Sequence, residues 1–409
     1  MRDKELYRHV LGLPTPWDII DVELNNHSQE IVIKIELTKE AILVCPHCNT
    51  PSPGYDTRVK RWRHLDTCQF HTILEAKLPR IDCQKHGVSM IHVPWAEPGS
   101  GYTALFEGLV IDWLQEASTK AVARQFSLSW NAIDGIMQRA VKRGLNRRQS
   151  MALTDIHIDE TSFKKRHDYV SIVSEKGRVL HVADDRNSES LDTFWQGLNK
   201  EQKANIRSVN MDMWPAFIKS VRAHVPDADN KIAFDKFHVA KHLNEAVDKV
   251  RKQENKQLLS AGDKRLKGTK YDWLRNANIT DGRSRRDFNQ LARSTLKTSR
   301  AWAIKELAMT LWHYGCRGWA IAGWKKWLSW ASRSRLKPVQ AAAKTTKKYL
   351  WGIINAILLK ESNGRAESMN SQIQRVKRRA CGFRNKERFK TAIYFHLGGL
   401  DLYPMGIRR

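Results

Sequence analysis

The chain has 409 residues, with 70 Lys and Arg against 43 Asp and Glu, a net charge of +27 at neutral pH. That length holds two to four domains, and a field of that sign points to a polyanion, nucleic acid first, as partner. Six cysteines are too few for a disulfide scaffold, and no apolar run approaches the ~18 residues that cross a bilayer, so a disulfide-stapled secreted domain and a membrane-spanning protein are both excluded.

The N-terminal stretch "MRDKELYRHVLGLPTPWD" has no apolar signal core, which predicts a cytosolic protein. "DIIDVELNNHSQEIVIKIELT" alternates apolar and polar residues around "NNHSQ" and reads as a β-hairpin. It leads to "CPHC" (Cys45, Cys48), and a second pair, "CQKH" (Cys83, His86), follows a segment that reads as a small β unit. Two ligand pairs, each with two residues between, can close one tetrahedral zinc site. His47, Cys68 and His71 remain alternative ligands, and a pair of buried thiols is the plainer reading.

Three helical segments follow in "LFEGLVIDWLQEASTKAVARQFSLSWNAIDGIMQRAVKRGL". "SLS" breaks the middle from the last, and Ser129 is placed to cap the helix beginning at Trp130. A short helix, a tight turn and a capped helix make a helix-turn-helix. Ser129, Trp130, Asn131 and Asp134 are expected to meet base edges; Lys120, Arg124 and Arg139 are expected on phosphates.

From Thr154 the order reads β, β, β, α, β, α, β: "TDIHIDETSF", "DYVSIVSE", "RVLHVADDR", the helical "SESLDTFWQGLNKEQ" with a Ser cap, "IRSVNMDMW", the helical "PAFIKSVRAHVP" and "NKIAFDKFH". This is the α/β sheet of the ribonuclease H type, with first and fourth strands side by side. Asp159 is expected to end the first strand and Asp212 the fourth, bringing two carboxylates within bridging reach of hard divalent ions. A third acid is needed, and Glu367 is the candidate. Between His238 and Glu367 the chain reads as helix almost throughout, an all-helical insertion. Its many tryptophans are expected to be mostly core; Lys325, Lys326, Arg333 and Arg335 could instead form a DNA track. After Glu367, Arg375, Lys377, Arg378 and Arg379 are expected to hold a neighbouring DNA strand.

"IDETSFKKRHDYVSIV", "VNMDMWPAF", "FDKFHVAKHLNEAVDKVR" and "NGRAESMNSQIQRVKRRACGFRNKERF", with the "CPHC…CQKH" knuckle, resemble the bacterial insertion-sequence transposases of the ISL-three family over nearly the whole chain. The resemblance implies a DDE transposase: Asp159 of "IDE", Asp212 of "MDMW" and Glu367 of "AESMN" as the catalytic acids on two magnesium or manganese ions, with one structural zinc. Ser368 stands where the family commonly has Gly. Asp235 and His238 match a D-x-x-H element of related transposases and are expected to support the site. The expected organisation is a zinc-knuckle region over 1–100, a helix-turn-helix over 101–150, a first core part over 151–240, the helical insertion over 241–360, and a last catalytic helix and tail over 361–409. The expected partners are double-stranded DNA, at the element's ends and at its target, and further copies of the chain, at least a dimer on DNA, in the bacterial cytoplasm at the nucleoid. A DNA-binding regulator without catalysis is the competing expectation.

Overall fold

The computed structural model describes residues 3–164, 168–185, 187–275, 288–360 and 364–407, the side chains of 364–367 excepted. The chain divides into two compact units, one of residues 1–149, 379–382 and 394–409, the other of residues 150–378 and 383–393.

In the first unit, α1 (Asp3–Leu11) precedes the predicted hairpin of β1 (Trp17–Asn25) and β2 (Glu30–Leu37). β3 (Gly54–Arg63), β4 (His71–Cys83) and β5 (Gly87–Met90) complete a sheet ordered β1-β2-β4-β3, with β5 on the end of β4. Alternation turns Ile31, Ile33, Ile35, Leu74, Ala76 and Leu78 to one face, where they bury against Trp17, Trp62 and Trp95. Trp95 meets Trp17 and Trp62 edge to face, at 4.8 and 5.5 Å between ring centres.

The helix-turn-helix follows as α2 (Ala104–Glu116), α3 (Thr119–Gln125) and α4 (Trp130–Arg147). Each begins on a hydroxyl cap: Thr103, Ser118 and Ser129 accept from the N–H groups of Phe106, Ala121 and Ala132. Ser129 therefore caps α4 as its sequence predicts. The C-terminal residues pack on these helices. Arg143 donates to the carbonyl of Leu402, Tyr403 to Asp112 at 2.7 Å, and Arg148 to the carbonyl of Gly398 at 3.0 Å. Gly144 lets the chain approach: a Cβ there would stand 2.7 Å from Leu400 Cβ.

The second unit is built on β6 (Asp155–Lys164), β7 (Asp168–Glu175), β8 (Arg178–Asp184), β9 (Ser208–Met211) and β10 (Ile232–Phe234), ordered β10-β9-β6-β7-β8. β6, β7 and β8 are antiparallel neighbours, whereas β9 and β10 run parallel to β6 and to each other. First and fourth strands of the unit are thus adjacent. Lys176 and Gly177 turn β7 into β8 with φ of 49° and 78°, the two left-handed positions of a tight hairpin. The short parallel strands are buried throughout, as strands covered on both faces must be, β10 with apolar residues and β9 with Ser208 and Asn210 beside Val209 and Met211.

The segment read as one Ser-capped helix is instead three short pieces: a 3-10 turn at Glu189–Leu191, then α5 (Asp192–Gln196) and α6 (Lys200–Asn205). Ser188 makes no side-chain cap. Gly197 stops α5, and Asn199 opens α6 with a reciprocal cap to Gln202. α7 (Pro215–His224) starts on Pro215 as predicted, and α8 (Ala228–Lys231) leads to β10.

Beyond β10 the described residues are helical: α9 (Lys236–Ser260), α10 (Lys270–Leu274), α11 (Lys297–Thr310), α12 (Arg317–Ser332), α13 (Lys337–Lys348) and α14 (Leu350–Leu359). Part of the predicted helix over "SRRDFNQLARST" lies outside the described residues. Gly352 brings α14 onto β10, where a Cβ would strike the Phe234 ring at 2.4 Å. α15 (Gly364–Arg379) and α16 (Lys386–Leu397) close the chain's helices.

Candidate functional site

Asp159 does not end β6, which runs on to Lys164 paired with β7. The acid sits instead where the parallel partner stops: Ile158 is level with Met211, the last residue of β9, and Asp212 follows immediately. Adjacent parallel strands thus deliver Asp159 and Asp212 at the same level. Asp235 arrives from the next strand, just past β10, where it caps α9 by accepting from Phe237 N–H at 2.6 Å. His238, one turn into α9, stands between the two later acids, with Nδ1 3.3 Å from Asp212 Oδ1 and Nε2 3.9 Å from Asp235 Oδ2.

The electrostatics of this sheet edge are unbalanced. Burial pushes the Asp159 carboxyl up to about 6; the Glu160 N–H and His238 oppose the shift, and the negative charges of Asp235 and Asp212 add to it. The described partners of Asp159 are the Glu160 N–H at 2.7 Å and the side-chain amide of Asn370, neither a cation. All-oxygen donors with surplus negative charge are the chemistry a hard divalent ion requires, so the residues fit such an ion.

Asn370 lies on α15, and the contacts continue along that helix: Gln374 donates to Thr161 Oγ1 at 2.9 Å and Lys377 to the Ser162 carbonyl at 2.8 Å. One face of α15, positions 370, 374 and 377, therefore lies along β6. Glu367 is in the first turn of α15, three residues before Asn370 and hence on the same helix face; its side chain lies outside the described residues. Neither Asn370 nor Gln374 was singled out in the sequence. The signal was there in the i, i+3, i+7 spacing of 367, 370 and 374, which only a known partner strand makes meaningful. Of the bases expected on DNA, Lys377 is half-buried and its ammonium holds the Ser162 carbonyl. Arg379 likewise donates to the Gln115 carbonyl within the first unit. Arg375 and Arg378 are exposed.

In the first unit, Cys45, Cys48, Cys83 and His86 converge with all ligand atoms within 4.8 Å of one another. Cys45 Sγ lies 3.6 Å and Cys83 Sγ 3.7 Å from His86 Nδ1, and the Cys48 and Cys83 sulfurs are 3.8 Å apart. Tetrahedral zinc with bonds of 2.0–2.3 Å separates its ligands by roughly 3.4–3.8 Å, so the four fit one zinc ion. The Lys85 N–H draws the Cys83 thiol down to about 7, whereas burial pushes Cys45 up. Of the alternatives, Cys68 is exposed on a turn, His71 faces Asp66, and His47 lies tilted against His86 outside the cluster.

On the helix-turn-helix, Lys120 and Arg124 of α3 and Ser129, Trp130 and Asn131 at the start of α4 are exposed. Two expectations are corrected. Asp134 is buried and accepts from Gln138 at 2.7 Å, because position 134 turns inward beside Ile133. Arg139 is bound to the buried Glu107 carboxylate, Nε to Oε1 2.9 Å, so it answers an internal charge.

Residues 156–393 match the DDE domain of ISL3 elements, described as "Transposase". The chain belongs to the ISL3 family of transposases. Two further matches agree with the units described: residues 91–141 to the "Helix-turn-helix domain of transposase family ISL3" and residues 43–86 to the "zinc-finger of transposase IS204/IS1001/IS1096/IS1165". The transposase is 26% identical to the "Transposase for insertion sequence element IS1557" of Mycobacterium tuberculosis, covering 98% of this chain and 96% of that protein. It is 26% identical to the "Transposase for insertion sequence element IS1001" of Bordetella parapertussis, over 85% and 87% of the two chains. It is thus a DNA-binding enzyme of DNA transposition, with a zinc finger that the Cys3His cluster supports. No described helix is long and apolar enough to cross a membrane.

Proposed function

We propose that the transposase cleaves the ends of its element and joins them to target DNA where Asp159 and Asp212, at the end of the parallel strands, meet Glu367 of α15. In this reading the sheet is a ribonuclease H-like core and the helices from α9 to α14 are an insertion in it. The three acids would hold two divalent ions, magnesium or manganese. Bound there, the ions supply charge stabilisation to the reacting phosphodiester. The observation that carries the reading is the contact of Asn370 with Asp159, one helical turn from position 367, on the acid left unbalanced where β9 ends.

The chain's own residues do the rest by position. α15, braced on β6 through Gln374 and Lys377, fixes the third acid's backbone against the first. His238 bridges Asp212 and Asp235, orienting the second acid, and Asp235 steadies α9 as its cap. Cys45, Cys48, Cys83 and His86 hold one zinc that stiffens the end-binding unit. Ser129, Trp130 and Asn131 read bases, while Lys120, Arg124, Arg375 and Arg378 engage phosphates. Two ends must be joined together, so the active species is at least a dimer on DNA, in the bacterial cytoplasm at the nucleoid.

The test is cleavage of a supercoiled plasmid bearing the element ends, with magnesium or manganese. Asp159→Asn, Asp212→Asn and Glu367→Gln should each abolish cleavage while end binding stays within about twofold. Wild-type cutting by any one of them removes that residue from the site.

A further inference from the structure

Between residues 307 and 360 the chain has ten Lys and Arg and no Asp or Glu. All ten are exposed, among them Arg317, Lys325 and Lys326 on α12 and Arg333 and Arg335 in the turn after it. Within it, α12 carries four tryptophans in two opposite environments. Trp324 and Trp327 are fully buried, stacked edge to face at 5.4 Å, with Trp327 donating to the Ile304 carbonyl at 2.7 Å. Trp319 and Trp330 are 71% and 39% exposed. At 3.6 residues per turn, positions 319, 326 and 330 fall on one face, so an exposed indole, an exposed ammonium and a second exposed indole run along it. An indole left this far in water beside exposed bases is costly unless something covers it.

We propose that this face of α12 binds unpaired DNA, stacking bases on Trp319 and Trp330 and holding phosphates on Lys326 and the surrounding bases. Stacking needs a free base face, which duplex DNA does not offer along its length, whereas a basic groove with aromatic platforms is how single strands are held. The eleven residue steps from Trp319 to Trp330 span roughly 16 Å of helix, about five nucleotides of stacked strand. A second copy of the chain is disfavoured as occupant, because two such faces would bring like charge against like charge. Transposition opens and rejoins duplex ends, where terminal base pairs fray into unpaired strand, so the ligand is one that the established activity brings to the protein. The inference rests on that activity and not on the assignment of the catalytic acids.

The experiment uses the full-length protein, a fluorescent oligothymidylate of about a dozen nucleotides, and an unrelated duplex of equal length. Trp319→Ala should weaken the single strand by about 5- to 150-fold and leave the duplex within about twofold. Trp319→Phe should keep most of the affinity, and Lys326→Ala should weaken both probes and lower their salt dependence. Trp319 is exposed enough that its loss leaves the fold intact, which circular dichroism checks. Wild-type affinity of Trp319→Ala for the single strand overturns the proposal. So does an equal loss on both probes, the mark of a phosphate track without stacking. A change in sedimentation mass on Trp319→Ala, with single-strand affinity kept, makes the face a contact between copies and overturns it as well.

Discussion

Glu107 and Asp159 are acids set into the two units of the same strongly basic chain, and they are treated in opposite ways. Glu107, 1% exposed, accepts from Arg139, from Arg143 and from Ser100 Oγ at 2.8 Å, and Arg143 also pairs with Glu97 at 2.6 Å. Its charge is answered inside the unit. Asp159 has an amide and a backbone N–H, with Asp212 and Asp235 adding charge of its own sign. On the proposed function, the contrast separates a buried carboxylate that builds structure from one kept for a cation. The zinc knuckle falls with the second kind, since its thiols also lack a cation from the chain.

The knuckle gives the largest expected effect. Structural zinc in finger peptides contributes ~10–16 kcal/mol of apparent folding free energy, so Cys83→Ser should lose the ion and melt the β4–β5 end locally. End binding would fall with it, read by zinc content and by hydrogen exchange over residues 71–90. Protein with reduced thiols and no bound zinc would move the knuckle to the other side of the comparison. Next comes Asp212→Asn, which removes a charge whose described partners are His238 and the Met213 N–H. Cleavage should drop by at least ~10³-fold, about 4 kcal/mol, with the melting temperature held or raised. A variant that unfolds would show that Asp212 builds structure as Glu107 does.

Legibility in the sequence followed distance along the chain. The knuckle's ligand pairs sit in two short turns, so spacing put them first, and the fold then set aside His47, Cys68 and His71. The caps of α2 to α4 and the hairpins are local in the same sense. The adjacency of Asp159 and Asp212 came from strand order, which fixes who pairs with whom but not where a strand ends; β6 outruns β9, and the acid marks the end of its neighbour. Arg139, Asp134 and Lys377 could not be read, because a base or acid on a helix looks alike in sequence whether its partner is DNA, a buried Glu107 or the carbonyl of Ser162. The division of α12 into buried and exposed tryptophans likewise depends on which face the neighbouring helices cover.

Glu107→Gln sharpens the contrast from the structural side. It leaves two guanidinium groups at a neutral amide, one of them in the buried Arg143, and should cost about 3 kcal/mol of stability in the first unit. Thermal unfolding measures this, and an unchanged melting temperature would mean that Glu97 alone suffices for both arginines.

Asp159→Asn should do the reverse, and the direction depends on pH. Below about pH 4 the carboxyl is protonated in both folded and unfolded chains and costs nothing. As pH rises from 4 to 6 the unfolded chain releases the proton first, because the folded group holds it up to about 6 against a usual 3.8. Stability therefore falls through that window, and above it the cost is complete at ~3 kcal/mol. The asparagine carries no such cost, so in chelator its advantage over the native chain should be near zero at pH 4 and grow to that value by pH 7. Millimolar magnesium or manganese should erase the advantage at pH 7 by stabilising only the native carboxylate. A difference that stays flat with pH, or a cation that stabilises both chains equally, would mean that Asp159 is satisfied within the fold after all, and the two carboxylates would belong to one class.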